Sequence, residues 1–168
     1  MTKPRRLLLL LFVVLVWVSF DQATKVIAKR DLAGEPAQEY LGGAVRLEYA
    51  ENVGSFLSLG ASLPAETRFW VFTVFSSLLV LGLAVYALRT SEEAPLLVFV
   101  GISLVIAGGL GNLIDRLTHD GRVVDFMQLG IGPLRTGVFN VADVAIMGGV
   151  ALVLTAMLRR RNSHGLTT

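Results

Sequence analysis

Residues 94–114, APLLVFVGISLVIAGGLGNLI, form a run of 21 residues without a charged side chain. A helix needs about 20 apolar residues to cross the hydrocarbon core of a bilayer. Two further stretches reach that length: residues 69–88 carry no charge, and residues 139–158 are interrupted only by Asp143. These runs predict three membrane-spanning helices.

A shorter apolar stretch, residues 7–20, ends at Asp21. It reaches spanning length only if the helix continues to about residue 28, which is feasible because Asp21 and Lys25 can pair on one helix face. A cleavable signal peptide is the alternative, since basic residues precede the stretch, but no small-x-small cleavage site follows it. We therefore predict four spans, at about residues 7–28, 69–88, 94–114 and 139–158.

The composition agrees with a membrane protein. Of the 168 residues, 54% are hydrophobic and 17% are charged, which is too apolar for a soluble or disordered chain of this size. The net charge of +2 is too small to indicate a nucleic-acid partner. The absence of cysteine excludes disulfides, thiolate zinc sites and a cysteine nucleophile. We predict an all-α membrane protein made of a single domain, residues 1–168.

The distribution of basic residues predicts the orientation. Seven of the 15 Lys and Arg residues lie in the two tails and the short link at residues 89–93. Because dense positive charge in short flanks marks the cytoplasmic side, both termini are predicted to be cytoplasmic. The loops at about residues 29–66 and 115–138 would then be extracytoplasmic. Residues 45–49 alternate apolar and polar side chains, and Asn52-Val53-Gly54 is typical of a turn. We therefore expect a small sheet over the outer helix ends.

Polar side chains cluster at the same, outer ends of the predicted spans. Such residues are costly inside a membrane and indicate function by default. The sequence thus predicts one polar site at the outward interface, formed by Asp21, Lys25, Asn112, Asp115, Arg116, Asn140 and Asp143.

Each group also has a purely structural interpretation. Asn140 followed by Asp143 suits a helix start, and that pattern alone favours capping over catalysis. Asp115 beside Arg116 can be an interfacial ion pair. Asp125 resembles a turn aspartate, and Gly108 is typical of close helix packing.

The side chains limit the available chemistry. The two histidines lie in no H-E-x-x-H helix, and the chain has no G-x-S-x-G element and no glycine-rich phosphate loop. Two neighbouring carboxyls share one proton, so that one can activate water while the other protonates a carbonyl oxygen. Peptide hydrolysis by such a pair is available. From the residues alone, Asp115 and Asp125 are both candidate partners for Asp143.

Five polar motifs occur in a fixed order. They are D-Q-A-T-K at 21–25, N-V-G-S at 52–55, G-G-L-G-N-L-I-D-R at 108–116, V-V-D-F at 123–126 and F-N-V-A-D at 139–143. This series closely resembles the lipoprotein signal peptidases, the type II signal peptidases of bacteria.

The resemblance implies a metal-free and cofactor-free aspartyl peptidase of the bacterial cytoplasmic (inner) membrane. Such an enzyme removes the signal peptide of prolipoproteins just before a cysteine that carries diacylglycerol, and globomycin-like cyclic peptides inhibit it. Its partners would be these substrates and membrane lipid. By motif, Asp125 and Asp143 match the catalytic pair. The resemblance assigns supporting or substrate-binding roles to Asp21, Lys25, Asn52, Gly54, Gly108, Asn112, Asp115, Arg116 and Asn140.

One position departs from the family pattern. Phe56 follows Ser55 where a small residue is usual, and this bulk affects the expected groove shape near residues 55–58. A small ion- or proton-coupled carrier is the rival function, because intramembrane Asp and Arg also mark transport paths. Against a carrier, the polar residues lie at one membrane level, and the sequence has no two related halves.

Overall fold

Four long helices form the body of the molecule. The computed structural model describes residues 2–54, 60, 62–90 and 92–164. The helices are α1 (Lys3–Leu32), α2 (Ala65–Arg89), α3 (Leu96–Thr118) and α4 (Val141–His164). Each is long and apolar enough to cross a membrane, which confirms the predicted four-helix membrane fold. Within α2, residues Phe69–Phe75 are π-helical.

The helix ends differ from the predicted ones. α1 continues four residues beyond residue 28, and α3 continues four residues beyond residue 114. The charged side chains at these ends do not stop the helices. Asp115 on the last turns of α3 is paired with Lys25 of α1, so its charge is neutralised within the bundle. α4 begins at residue 141, since Asn140 caps it. The predicted loops, 29–66 and 115–138, therefore overlap the helix ends.

The central helix of the bundle is α3. More than half of its spanning window is buried, compared with 11% in α1 and in α2, and it packs against the other three helices. Glycines allow α4 to approach it closely. A Cβ atom on Gly101 would lie 2.7 Å from the carbonyl oxygen of Gly149, and one on Gly108 would collide with the carbonyl of Ala142. The packing interpretation of Gly108 is thus supported.

A four-stranded antiparallel sheet covers one end of the bundle. Its order is β1 (Gln38–Tyr40), β2 (Val45–Asn52), β3 (Val123–Ile131) and β4 (Leu134–Arg135). The strand predicted at residues 45–49 is confirmed and is three residues longer. The sheet packs on the helix ends through a buried apolar cluster of Ala28, Leu32, Phe126 and Val141. We call this end of the bundle the sheet-side half, and the end at the α2–α3 link the far half.

Candidate active site

The first part of the site is a buried ion network between α1 and α3. Lys25 Nζ lies 2.8 Å from Asp21 Oδ2 and 3.0 Å from Asp115 Oδ2. All three residues are at most 3% exposed. The predicted pairing of Asp21 with Lys25 on one helix face is confirmed. Asp21 also reaches α4, where its Oδ1 accepts a hydrogen bond of 2.9 Å from the backbone N–H of Ala142.

Asp115 has partners that the sequence did not indicate. The interpretation of Asp115 and Arg116 as an ion pair is wrong, because the cation beside Asp115 among the described residues is Lys25. Its Oδ2 also accepts a hydrogen bond from the backbone N–H of Val124, at the start of β3. Asp115 is therefore satisfied on two sides and holds the strand that carries Asp125.

Gln22 belongs to this network and was not among the predicted site residues. Its side-chain amide donates to Asp115 Oδ1 at 2.9 Å and to the carbonyl oxygen of Gly111 at 3.2 Å. Gly111 is the second omission, because a Cβ there would lie 2.6 Å from Asp21 Oδ2. Gln22 lies inside the D-Q-A-T-K motif. Its position between Asp21 and Lys25 could have identified it as a site residue.

Two buried asparagines connect the ion network to the carboxyls beyond it. Lys25 Nζ donates to Asn112 Oδ1 at 3.2 Å, and Asn112 Nδ2 donates to Asp143 Oδ1 at 3.0 Å. Asn140 Nδ2 also donates to Asn112 Oδ1, at 3.1 Å. Since these bonds share atoms, a displacement of Lys25 would move both asparagines.

Asp125 lies on β3, not in a turn. It is 2% exposed, and its Oδ1 accepts a hydrogen bond of 2.6 Å from Asn140 Nδ2. Its Oδ2 accepts a hydrogen bond of 2.9 Å from Asn52 Nδ2 on the neighbouring strand. The strand was missed because an apolar run with one acid suits a strand or a loop equally well.

The protonation of Asp125 is set mainly by burial. The pKa of this carboxyl is raised from 3.8 to about 7, chiefly by burial and to a smaller extent by the charge of Asp143. The hydrogen bonds from Asn52 and Asn140 oppose the rise by stabilising the ionised form. Asp125 is therefore suited to holding a proton near neutral pH.

Asp143 lies in the first turn of α4 and forms a reciprocal cap with Asn140. The backbone N–H of Asp143 donates to Asn140 Oδ1 at 3.0 Å, and the backbone N–H of Asn140 donates to Asp143 Oδ2 at 3.2 Å. This is the capping-box arrangement. The predicted capping role is confirmed, and Asn140 touches both Asp143 and Asp125, so capping and assembly of the carboxyl pair coincide.

Both carboxyls border one cavity of about 250 Å³. Polar groups line its sheet side, and α2, α3 and α4 supply an apolar wall. The lining includes Asn52, Val80, Gly109, Asn112, Arg116, Asp125, Asp143 and Met147. An acid pair at the edge of an apolar cleft is a typical setting for chemistry on a bound substrate.

Gly54 is connected to the site through Asn52 and Arg116, which both line the cavity. The backbone N–H of Gly54 donates to Asn52 Oδ1 at 2.9 Å, which confirms the predicted turn. Arg116 Nη2 donates to the carbonyl oxygen of Gly54 at 3.3 Å. The next residues, 55–58, where Phe56 was expected to affect the groove, lie outside the described residues. Of the predicted site residues, Gly108 supports the site through helix packing, and the others are joined by hydrogen bonds or ion pairs.

Comparison with known proteins points in one direction. The family model described as signal peptidase (SPase) II matches residues 13–159. A lipoprotein signal peptidase of Sphingopyxis alaskensis is 36% identical over 140 residues, which cover 82% of this chain and 78% of that protein. One from Syntrophus aciditrophicus is 30% identical and covers 96% of this chain and 98% of its own length.

Two solved bacterial membrane enzymes share the fold. One, determined by the in meso method at 2.3 Å resolution, has a TM-score of 0.78 and 28% identity, covering 92% of this chain and 90% of its own. The other, determined at 1.9 Å resolution, has a TM-score of 0.73 and 29% identity, covering 89% of this chain and 92% of its own.

Proposed function

The chain belongs to the signal peptidase II family, and from this premise we propose that it removes signal peptides from bacterial prolipoproteins. We further propose that it is an aspartyl endopeptidase whose catalytic pair is Asp125 and Asp143. The observation that carries the proposal is the single asparagine, Asn140, that hydrogen-bonds to both carboxyls at the edge of one cavity.

Asp143 is the proposed base. Hydrogen bonds from Asn112 Nδ2 and from the backbone N–H of Asn140 stabilise its negative charge, as does its place in the first turn of a helix. Asp143 would take a proton from the water that attacks the scissile carbonyl carbon. Asp125, with its pKa raised to about 7, would at the same time protonate the carbonyl oxygen.

The resulting gem-diol collapses as the protons return. Asp143 gives its proton to the leaving nitrogen, the C–N bond breaks, and Asp125 takes a proton from one hydroxyl of the diol. The products are the signal peptide with a new carboxyl terminus and the mature chain with a free amine on its lipid-modified cysteine. The pair ends in its starting protonation state and titrates as a unit. Asn112, Asn140 and Asn52 hold both carboxyls in place, and Lys25 orients Asn112, to which Asn140 also donates.

The position of the pair suits this substrate. Both carboxyls lie in the sheet-side half, which we propose faces the outside of the cytoplasmic (inner) membrane, with both termini cytoplasmic, because the basic flanks lie at the far half. There the scissile bond would join a helix in the bilayer to a lipid-anchored cysteine at its surface. We propose one peptidase domain across the chain, and expect globomycin-like cyclic peptides to compete for the cavity.

A gel-shift assay on purified protein in detergent tests the proposal. The substrate is a diacylglyceryl prolipoprotein, and wild type is compared with Asp125→Asn and Asp143→Asn. We expect each variant to lose cleavage by about 10³-fold or more while still unfolding in one cooperative thermal transition, which shows that it is folded. Asp31→Asn is the matched control, because Asp31 is paired at the surface with Arg30, and it should cleave normally.

Three results would contradict the proposal in different ways. Cleavage by Asp125→Asn together with loss in Asp115→Asn would move the pair to Asp115 and Asp143. An activity lost in EDTA would argue against a metal-free pair. A folded wild type that leaves a verified lipidated substrate intact would overturn the peptidase and favour transport assays.

A further inference from the structure

A second, larger groove runs along the far half of the bundle. Its volume is about 880 Å³. α3 forms its floor, and α2 and α4 form its walls. Leu83 and Val105 line both this groove and the cavity of the carboxyl pair, so the two spaces adjoin each other. The groove is lined by Leu83, Tyr86, Thr90, Glu93, Ala94, Pro95, Val98, Ile102, Val105, Val150, Val153, Leu154, Met157 and Arg160.

The walls have the pattern of helix faces that lack a partner. On α4, Val150, Leu154 and Met157 follow one another at spacings of four and three residues and are 42%, 54% and 61% exposed. On α2, Leu83 and Tyr86 lie three residues apart on one face. Two apolar ridges beside a third helix form a surface into which another helix packs. The geometry therefore favours an apolar helix as the occupant.

The length of the groove fits a signal peptide. Asp143 and Arg160 lie 17 residues apart on α4, a distance of about 26 Å at 1.5 Å per residue. A signal peptide has an apolar helix of about 7 to 15 residues behind a positively charged amino end. Such a helix, with a short segment leading to the scissile bond, spans from the far mouth to the carboxyl pair.

The end of the groove beside the α2–α3 link, which we call the far mouth, contains one acidic side chain, Glu93. The two tails carry six Lys and Arg residues, which repel a cationic peptide end, whereas the link at residues 89–93 has one Arg and two Glu. The acids of the link are Glu92 and Glu93. Glu92 lies outside the groove and accepts a hydrogen bond from the backbone N–H of Lys3. Glu93 lines the groove, as does the positively charged Arg160.

We propose that this groove holds the apolar helix of the substrate's signal peptide and that Glu93 pairs with the basic residues at its amino end. The inference rests on the proposed function and adds one residue that determines substrate specificity. This residue, Glu93, lies 50 residues before Asp143 in the sequence. Glu93 acts in binding, far from the scissile bond, so its effect belongs to KM.

Kinetics with two substrates test the charge pairing. One prolipoprotein keeps its basic amino end, and in the other these residues are changed to Gln. We expect Glu93→Gln to raise KM for the basic substrate by about three- to fivefold, as for an exposed ion pair, with kcat unchanged. With the neutral substrate, wild type and Glu93→Gln should have the same KM.

Glu92→Gln is the matched control, since it removes the same charge from the adjacent position outside the groove. An equal rise of KM in Glu92→Gln, or a rise in Glu93→Gln that persists with the neutral substrate, would overturn the pairing. Normal cleavage by wild type with no effect of Glu93→Gln defeats this inference alone. No cleavage by wild type defeats the proposed function and this inference together.

Cross-linking identifies the occupant directly. A photoreactive amino acid is placed at Leu154 in the groove, or at Leu15 on α1, which is 65% exposed, in the inactive Asp143→Asn protein. We expect the apolar segment of the bound substrate to cross-link to position 154 and not to position 15. Cross-links from position 154 to lipid alone, or to a second copy of the chain, would show that another occupant fills the groove.

Discussion

The two halves of this bundle are held together by different forces. In the sheet-side half, Lys25 joins two carboxylates and an asparagine, and all four side chains are buried. In the far half, helices meet through a buried apolar cluster that includes Phe99, Ile102 and Ile106 and through a close contact of Gly101 with Gly149.

The single buried cation of the described far half shows the contrast. Arg6 donates from Nη1 to the carbonyl oxygen of Ala94 at 2.6 Å and lies 5.4 Å above the ring of Phe99. It ties α1 to the α2–α3 link, and no carboxylate among the residues that the structure describes pairs with it. Apolar surfaces have many ways of packing in a lipid solvent, whereas hydrogen-bonded charges accept few arrangements. The polar half therefore specifies where the carboxyl pair lies, and the far half supplies a scaffold.

Removing Lys25, the cation at the centre of the sheet-side half, should have the largest effect on stability and cleavage. Lys25→Met leaves Asp21 and Asp115 as uncompensated buried charges, and breaking such a pair costs about 3–5 kcal/mol. We expect a lower midpoint of chemical unfolding and loss of cleavage, because Asn112 loses the group that orients it.

Lys29→Met is the control for that change. Lys29 lies one turn further along the same helix and is exposed, so its loss should alter the unfolding midpoint little. Similar destabilisation by both variants would show that net charge, not the buried network, matters.

The effect of pH should come from the sheet-side half. The pKa of Asp125 is 3.8 in its ordinary state and about 7 in the fold. The folded protein thus holds a proton that the unfolded chain has lost, and stability falls as pH rises between these values, by at most about 1.4 kcal/mol per pH unit. Asp125→Asn should remove this decline and unfold at a higher temperature than wild type at pH 8.

Thermal unfolding of both proteins at pH 5 and pH 8 measures this difference. The cleavage rate of wild type should also fall above about pH 7, as the pair loses its proton. A wild type whose Tm, relative to Asp125→Asn, stays constant between pH 5 and pH 8 would contradict the assigned protonation state.

The sequence predicted the spans well because a charge-free run of 20 residues has few structural alternatives. It predicted the helix ends poorly, since Asp115 and Lys25 are 90 residues apart and their pairing lets helix α3 continue past its apolar run. The same distance hid the partners of Asp115 and made Arg116 look like its counter-ion.

The carboxyl pair could be predicted only in part from the sequence. Asp143 followed from its place inside an apolar run, but Asp125 could not be separated from Asp115 by residue chemistry, and only the family resemblance favoured it. The structure separates them physically: Asp115 is satisfied by Lys25, Gln22 and Val124, while Asp125 borders the cavity. β-strand pairing of residues 50 and 125, which brings Asn52 to Asp125, is a long-range contact that local patterns do not encode.

Alanine substitutions at two glycines of α3 allow a direct comparison of the two halves. Gly101→Ala, in the far half, would place its Cβ 2.7 Å from a backbone oxygen, and Gly111→Ala, in the sheet-side half, would place it 2.6 Å from Asp21 Oδ2. Both should destabilise the protein by about 1–3 kcal/mol through overpacking. We expect only Gly111→Ala to lower kcat per folded molecule, because it displaces the ion network.

Gly148→Ala controls for helix propensity, since its Cβ meets nothing within 4 Å, and it should be neutral or slightly stabilising. Equal kcat values for Gly101→Ala and Gly111→Ala, each normalised to folded protein, would mean that the network does not set the geometry of the carboxyl pair.

The smallest expected effect concerns Gln22, whose amide satisfies Asp115 Oδ1 and the carbonyl oxygen of Gly111. Gln22→Leu keeps the apolar volume but leaves both acceptors without this donor, at a cost of about 1–3 kcal/mol. Lys25 still neutralises Asp115, so we expect reduced stability and a kcat within about threefold of wild type, a loss of less than 1 kcal/mol of transition-state stabilisation.

Gln22→Glu separates packing from charge, because it adds a carboxylate beside Asp115 and Asp21. A larger loss of kcat in Gln22→Glu than in Gln22→Leu, measured by single-turnover cleavage, would place the sensitivity in the charge balance around Lys25, whereas equal losses would place it in the hydrogen bond to α3.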